Sequence, residues 1–290
     1  AIKEHSDVCS FENKYRDVFS GFDEYLYDEL IEKMTALNIS KAEATLSANI
    51  FERLKDIPLV DKYEAYQLLD DDWTKIAVDL EIIQTEGFEA TKRVDPNMVI
   101  KKKDGKEQEV QEGWVGRIIP FDLIQDTLLA DDRAALKAKE NRLSEIASEY
   151  EELFDSLTEE EKEGDYASED GFVNAEIKKA LKSDSVEPET KEKLRKVAAL
   201  ATEEKELKAA IKKDAGLLEG KTKETIESLS DEQVIDLLKD KWITPLIQNL
   251  MKLPDSIVNE LVSKLEALTK KYETTFAEVE AQISETANTL

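Results

Sequence analysis

Residues 11–37 read FENKYRDVFSGFDEYLYDELIEKMTAL and decide the fold class. Their large apolar side chains recur three and four residues apart, which is the spacing of one buried helical face. The residues on this face are Tyr15, Val18, Phe19, Phe22, Leu26, Leu30 and Met34. The segment therefore predicts helix, with these side chains in the core.

Helical signals continue along the chain. Ser40 followed by Glu43 has the pattern of a capping box and predicts a helix that begins there. Pro58 interrupts this stretch, and the next helix is expected from Asp61 to about Thr85. Only nine glycines and six prolines occur in 290 residues, so long helices should dominate.

Between residues 94 and 120 the apolar side chains no longer follow helical spacing, which predicts a small β-hairpin insertion. The segment MVIKKKDGKEQEV at 98–110 has the Asp104-Gly105 centre that a two-residue type I′ turn prefers. Trp114 is expected to pack the hairpin against helices. The turn predicts the cross-strand pairs Lys103 with Lys106, Lys102 with Glu107 and Val99 with Val110.

The hairpin is locally basic in an acidic chain. Residues 92–106 hold six basic and two acidic side chains, a local charge of +4. One interpretation is contact with a DNA backbone or an acidic partner. The structural alternative is charge pairing between the two strands. The candidate DNA contacts are Lys101, Lys102, Lys103, Lys106 and Arg117.

Two coiled-coil-like arms are predicted. From residue 121 to about 163, apolar residues follow a three-four spacing, and a second such stripe follows the break expected at Pro254-Asp255. The second stripe includes Leu261 and Val279. We predict that the arms pack antiparallel against each other or dock together onto another subunit. The candidate docking residues are Leu136, Leu143, Ile146, Tyr150, Leu153, Leu265, Leu268 and Tyr272.

The expected architecture is mainly α: a helical domain with a small β-hairpin insertion and long coiled-coil-like helices. The segment 164–187 is acidic and rich in turn formers, so it should be exposed and flexible. A helix is expected from Glu187 to about Asp214. Ser230 should cap a later helix, which Trp242 anchors to the body. The predicted divisions are 1–93, 94–120, 121–163, 164–187 and 188–290.

Charge and composition restrict the classes of function. Forty basic against 66 acidic side chains give a formal charge of −26, which is the wrong sign for binding a polyphosphate over a broad surface. Cys9 is the only cysteine, so an intramolecular disulfide is excluded. No secretory signal and no run of about 18 apolar residues is present, which predicts a cytoplasmic protein without a membrane span.

The sequence offers little for catalysis. His5 is the only histidine, and it forms with Cys9 a pair one helical turn apart, too few ligands for a structural zinc site. No phosphate-binding glycine loop or dinucleotide fingerprint occurs. We therefore expect no catalytic residue, no cofactor-binding residue and no metal ligand in this chain, and no activity in isolation.

Several uncommon sequence motifs support a family resemblance. The block 49–126 contains DDDW at 70–73 and WVGRIIP at 114–120, and further on come DLLKDKWITPLIQNL at 236–250 and LTKKYETTFAEVEAQI at 268–283. In this order they resemble the C-terminal region of the modification (M) subunit of type I restriction-modification adenine-N6 DNA methyltransferases. The resemblance is most specific over residues 49 to about 162.

The resemblance implies an assembly role. In that family an upstream domain binds S-adenosylmethionine and carries an Asn-Pro-Pro-aromatic motif, and neither that motif nor a glycine-rich cofactor loop occurs in these 290 residues. The implied partner is the specificity (S) subunit, with the restriction (R) subunit as a second candidate and DNA in the full complex. Two alternatives remain open, namely a DNA-clamping element that uses the basic hairpin and an unrelated helical scaffold.

Overall fold

The structure is a computed structural model that describes residues 2–103, 106–168, 171–183, 186–272 and 276–289. It is 74% helical with a small antiparallel hairpin, so the predicted mainly α class is confirmed. Among the described helices, none combines the length and the apolar character needed to cross a membrane.

Long helices joined by short connections make up most of the described chain. In chain order the elements are α1 (Ser6–Val18), α2 (Phe22–Leu26), a π-helical turn (Tyr27–Glu32), α3 (Ile39–Arg53), α4 (Lys62–Glu86), a 3-10 turn (Phe88–Lys92), β1 (Val94–Lys103), β2 (Lys106–Gly116), α5 (Phe121–Thr127), α6 (Ala130–Asp155), α7 (Glu159–Lys162), β3 (Ala167–Ser168), β4 (Gly171–Phe172), α8 (Asn174–Ala180), α9 (Pro188–Glu227), α10 (Asp231–Trp242), α11 (Thr244–Lys271) and α12 (Phe276–Thr289). They form two compact units. The terminal unit combines Ala1–Thr91 with Ser230–Leu290, and the central unit comprises Lys92–Leu229.

The apolar face predicted in residues 11–37 lies in the core of the terminal unit, but three consecutive segments share it. The centroids of the Tyr15 and Phe19 rings are 5.0 Å apart, and those of Phe19 and Phe22 are 5.5 Å apart. Val18 is only half-buried. The other predicted core residues of this segment are buried, namely Tyr15, Phe19, Phe22, Leu26, Leu30 and Met34.

The helix breaks between α1 and α2 at Gly21. This residue has φ +69°, a conformation that glycine adopts without the steric cost of a Cβ atom. Arg53 of α3 donates a hydrogen bond from Nη1 to the Val18 carbonyl at 2.5 Å, and its guanidinium lies 4.9 Å from the centroid of the Phe22 ring. Arg53 thus provides a donor for a carbonyl that the end of α1 leaves without an intrahelical partner.

The start of α3 differs from the prediction, whereas the start of α4 agrees with it. The N-cap of α3 is Asn38, so Ser40 lies inside the helix and the predicted capping box is wrong. Glu43 instead accepts a hydrogen bond from the Tyr66 hydroxyl at 3.0 Å, a partner that the local pattern cannot reveal. Asp61 caps α4 by accepting a backbone N–H of its first turn, as expected.

The break predicted at Pro254 is also wrong, because α11 continues through it from Thr244 to Lys271. Proline has no N–H, so it cannot donate to the carbonyl of Leu250, four residues earlier. The Tyr15 hydroxyl donates to that carbonyl at 2.9 Å, and both residues are fully buried. A side chain from α1 therefore replaces the missing helical hydrogen bond.

A buried carboxylate joins α4 to α10. Asp79 accepts hydrogen bonds from Trp242 Nε1 at 2.8 Å and from Lys241 Nζ at 2.5 Å. Trp242 is almost fully buried, as predicted for an anchoring residue. The helix that carries it begins with a capping box between Ser230 and Gln233, which confirms the predicted cap.

The hairpin of the central unit has the predicted register. The pairs Val99 with Val110, Lys102 with Glu107 and Lys103 with Lys106 face each other across β1 and β2. The predicted turn residues Asp104 and Gly105 lie outside the described residues.

Trp114 packs the hairpin onto α9, as predicted. Its backbone N–H donates to Glu219 Oε1 at 3.0 Å, and Lys223 Nζ lies 3.5 Å from the centroid of the Trp114 indole ring. This contact attaches the hairpin to α9, the longest helix in the described residues.

The helix lengths in the central unit differ from the prediction in both directions. α9 runs without interruption from Pro188 to Glu227, whereas a helix end was predicted near Asp214. The predicted arm 121–163 comprises three helices, of which α6 packs antiparallel along α9. The predicted pairing of this arm with the C-terminal arm is wrong, because α9 covers its apolar stripe.

The acidic segment 164–187, predicted to be an exposed loop around a short helix, contributes to a core. It contains the β3–β4 pair and α8. Tyr166 and Ile177 from this segment are buried in a cluster with Leu157, Leu194 and Val197. The apolar side chains of this acidic segment that join the cluster are spread over several short elements, so no helical or strand periodicity predicts this packing.

Candidate docking surface

The α6 residues predicted as docking candidates are buried or half-buried within the central unit. Ile146 is buried to 1% exposure. The other four are half-buried on the same face, namely Leu136, Leu143, Tyr150 and Leu153. Because α9 packs along this face, α6 does not offer it as a continuous docking stripe for a second helix.

Charged side chains flank the α6–α9 contact along its length. Arg142 donates from Nε and Nη2 to the two oxygens of Glu203 at 2.7 and 2.9 Å. Lys221, late in α9, contacts Asp132, early in α6, at 2.8 Å, whereas Arg142 and Glu203 lie nearer the middle of the two helices, as an antiparallel pair requires. Paired arginine and carboxylate groups of this geometry add specificity to a helix pair. The pairing of α6 with α9 therefore depends on charge as well as on apolar packing. A further pair joins Lys139 and Asp214.

The second predicted stripe has a different environment. The first half of α11 supplies core residues such as Leu246, Leu250 and Val258. Every described side chain from 263 to 272 is exposed. We call the large apolar residues at the end of α11 and at its C-cap the C-terminal stripe: Leu261, Leu265, Leu268 and Tyr272.

The C-terminal stripe exposes large apolar side chains at helical spacing. Leu268 is 50% exposed and Tyr272 is 66% exposed. Their spacing of three and four residues places them on one face of α11. Glu260 and Lys264 form an exposed ion pair at 2.6 Å one turn apart. The face is therefore apolar along one line and charged beside it, which is the pattern of a helix that packs against another helix.

The terminal helix α12 adds a further apolar pair. Val279 belongs to the predicted stripe, whereas Ile283 was missed. Both side chains are exposed, to 39% and 64%. The spacing of four residues between them was the available signal. Ile283 lies off the strict heptad continuation from Tyr272, which runs through 279 and 286.

The basic hairpin uses much of its charge internally. Lys101 Nζ lies 2.5 Å from Glu112 Oε1, and Arg117 Nη1 lies 2.9 Å from Asp95 Oδ2. Lys102 is exposed and faces Glu107 across the strands. For the side chains of Lys103 and Lys106 the structure gives no description. These contacts follow the charge-pairing alternative, and they reduce the positive charge available to a phosphate backbone.

The His5–Cys9 pair has the geometry of a helix end. His5 is the N-cap of α1, and its Nδ1 accepts the N–H of Asp7 at 3.2 Å. Cys9 is exposed. Within the described residues no group of three or more His, Cys, Asp or Glu side chains could hold a metal ion.

The fold and the exposed stripe together define a mainly α protein with a helical surface suited to a second helix. Comparison of the chain with protein-family models, with curated proteins and with solved structures found no match. The functional argument therefore depends on the sequence and geometry of this chain.

Proposed function

We propose that this chain is a non-catalytic assembly region that docks onto a partner helix through the C-terminal stripe. The observation that carries the proposal is the exposure of Leu265, Leu268 and Tyr272 on one face of α11. Exposed apolar surface of this kind is characteristic of a protein contact site. Covering it with a partner helix would remove apolar area from water, worth roughly 25 cal/mol per Å².

The motifs DDDW and WVGRIIP, with the two longer segments quoted with them, support a specific partner. Their resemblance to the M subunit of type I restriction-modification methyltransferases favours the S subunit, which carries helices between its target-recognition domains. The R subunit is a second candidate. In this proposal the parent enzyme is a cytoplasmic adenine-N6 DNA methyltransferase that uses S-adenosylmethionine, and the region described here serves assembly.

The test is size-exclusion chromatography with light scattering on the chain alone and mixed with the S subunit. A stable complex is expected for the unchanged chain. The double variant Leu265→Asp with Leu268→Asp should lose the complex while its circular dichroism spectrum and melting temperature stay unchanged, because both side chains are already exposed. Leu143 is unsuitable for this test, since it faces α9 and its substitution would damage the fold.

A matched control adds the same charge to the same helix. Ser263→Asp with Ala267→Asp places two carboxylates on exposed positions of α11 away from the C-terminal stripe, and this variant should still bind. If the chain forms no complex with the S subunit at any concentration, the proposed partner is contradicted. A chain that dimerises alone through the stripe supports the helical-scaffold alternative instead.

A further inference from the structure

An open cleft lies where the C-terminal part of α6 meets the β3–β4 pair in the central unit. Its volume is about 500 Å³, and it is separate from the C-terminal stripe, which belongs to the terminal unit. Aromatic rings and carboxylates share its wall: Tyr150, Phe154 and Phe172 with Glu151 and Asp155. A site of this composition is suited to a cation that carries apolar atoms.

The rings form a structured wall. Phe154 and Phe172 meet edge to face, with centroids 5.3 Å apart and an interplanar angle of 89°. Tyr150 donates its hydroxyl to Glu204 at 3.2 Å, which holds the third ring in position. Burial and the nearby Glu204 carboxylate raise the pKa of Tyr150 to about 12, so it remains a donor at neutral pH.

The two carboxylates have no cation of their own in the described chain. Glu151 and Asp155 are one turn apart on α6, and within the described residues neither forms an ion pair, whereas Glu149 on the same helix pairs with Arg142 at 2.5 Å. Like charges four residues apart on a helix repel each other and destabilise it. A cation bound between them would relieve this repulsion.

The chain itself contains an example of the interaction. Lys162 Nζ lies 5.5 Å from the centroid of the Phe154 ring, within the range of a cation–π contact. This ring therefore already attracts an ammonium group. The overall charge of −26 adds a long-range attraction for a basic partner.

We propose that this cleft binds the basic side chain of a partner polypeptide, with lysine or arginine entering among the three rings. The alkyl part of the side chain packs on Phe172 and Tyr150. The ammonium or guanidinium group lies between Glu151 and Asp155 and the face of an aromatic ring. The open form of the cleft leaves the backbone of the partner outside.

The test uses the full chain and short blocked peptides. Ac-Ala-Arg-Ala-NH₂ is titrated into ¹⁵N-labelled protein while the amide signals of Gly171 and Asn174, which line the cleft, are followed by NMR. Saturable shifts are expected with the arginine peptide and with its lysine counterpart. The same peptide with citrulline, which keeps the shape of arginine and lacks its charge, should bind at least roughly tenfold more weakly.

Paired variants locate the charge requirement. Glu151→Gln with Asp155→Asn should weaken arginine-peptide binding at least roughly tenfold. Glu140→Gln with Glu152→Gln removes two charges from exposed positions of the same helix outside the cleft wall and should leave the affinity unchanged. Equal affinity for the citrulline peptide, wild-type affinity in the Glu151–Asp155 variant, or no shift at Gly171 and Asn174 would each overturn the proposal.

Discussion

At the scale of single residues, Tyr15 has the most specific role in the fold. It donates to the Leu250 carbonyl that Pro254 cannot serve. Burial, with a smaller effect from Glu64, raises the pKa of Tyr15 well above its usual range, so the hydroxyl keeps its proton and remains a donor. A buried carbonyl without a partner costs about 1–3 kcal/mol.

This leads to a double-mutant prediction. Tyr15→Phe should reduce the free energy of unfolding by about 1–3 kcal/mol, because it leaves the buried Leu250 carbonyl unpaired. In the background of Pro254→Ala the restored backbone N–H can bond that carbonyl, so the same substitution should cost about 1 kcal/mol less. Urea unfolding followed by circular dichroism measures the free energy of unfolding of the wild type, the two single variants and the double variant. An equal cost in both backgrounds would show that the hydroxyl and the proline act independently.

A second prediction at this scale concerns the pH dependence of Glu161. Burial alone would raise its pKa, but hydrogen bonds from Thr190, Lys193 and the Thr158 backbone outweigh that effect and lower the pKa from 4.5 to about 2. The unfolded chain therefore takes up the proton first. The stability that Glu161 provides is complete above about pH 4.5 and is lost as the pH falls toward 2.

Glu161→Gln tests this directly. The variant should be less stable than the wild type at pH 7, and the difference should shrink as the pH falls from 4.5 toward 2. Glu160→Gln, an exposed neighbour, serves as the control and should show little difference at either pH. Thermal melts at a series of pH values measure both. A constant difference from pH 7 to pH 2.5 would contradict the assigned contacts.

At the scale of elements, α9 is the clearest case of packing that overrides local preference. Gly216 and Gly220 lie inside this 40-residue helix, where glycine costs up to about 1 kcal/mol relative to alanine. A Cβ atom at either position would meet nothing within 4 Å. The helix continues through both because it packs along α6.

These glycines give a simple prediction for the element. Gly216→Ala and Gly220→Ala should each raise the free energy of unfolding by about 0.5–1 kcal/mol. Gly87 is a matched control, since a Cβ there also meets nothing within 4 Å but φ is +87°. Gly87→Ala should therefore destabilise the protein. Chemical unfolding measures all three, and a loss of stability at Gly216 would indicate that α9 needs flexibility there.

At the scale of the whole molecule, the two units differ in how the chain builds them. The central unit is one continuous segment, Lys92–Leu229, with its own buried cluster, whereas the terminal unit needs both ends of the chain. Tyr15 and Asp79 have their partners beyond residue 230, in Leu250, Lys241 and Trp242.

The difference predicts the behaviour of fragments. Residues 92–229 expressed alone should be helical and melt cooperatively, since a domain with a core of its own can fold alone. Residues 1–91 alone should not, because Asp79 and Tyr15 lose their partners. Adding residues 230–290 in trans should restore cooperative unfolding to that fragment. Cooperative melting of residues 1–91 without them would contradict this division of the chain.

The local features of the fold can be predicted from the sequence. The class, the hairpin register, the cap of α4 at Asp61 and the capping box at Ser230 depend on residues within a few positions of one another. The C-terminal stripe also follows from spacing alone, and only its exposure needed the structure. Near-neighbour physics decides such features, so a single sequence can reveal them.

Which helix faces pack together depends on contacts between distant parts of the chain and is known from the folded structure. An apolar stripe does not specify its partner helix, so the sequence predicts the wrong partner for α6, and it predicts a capping role for Glu43 although the partner of Glu43 is Tyr66. The continuity of α11 depends on a hydroxyl 235 residues away from the carbonyl it serves. The cleft beside α6 likewise combines segments whose approach is set by burial of Tyr166 and Ile177. Contacts between distant segments are decided by the total burial and hydrogen bonding of the folded chain, which no local pattern contains.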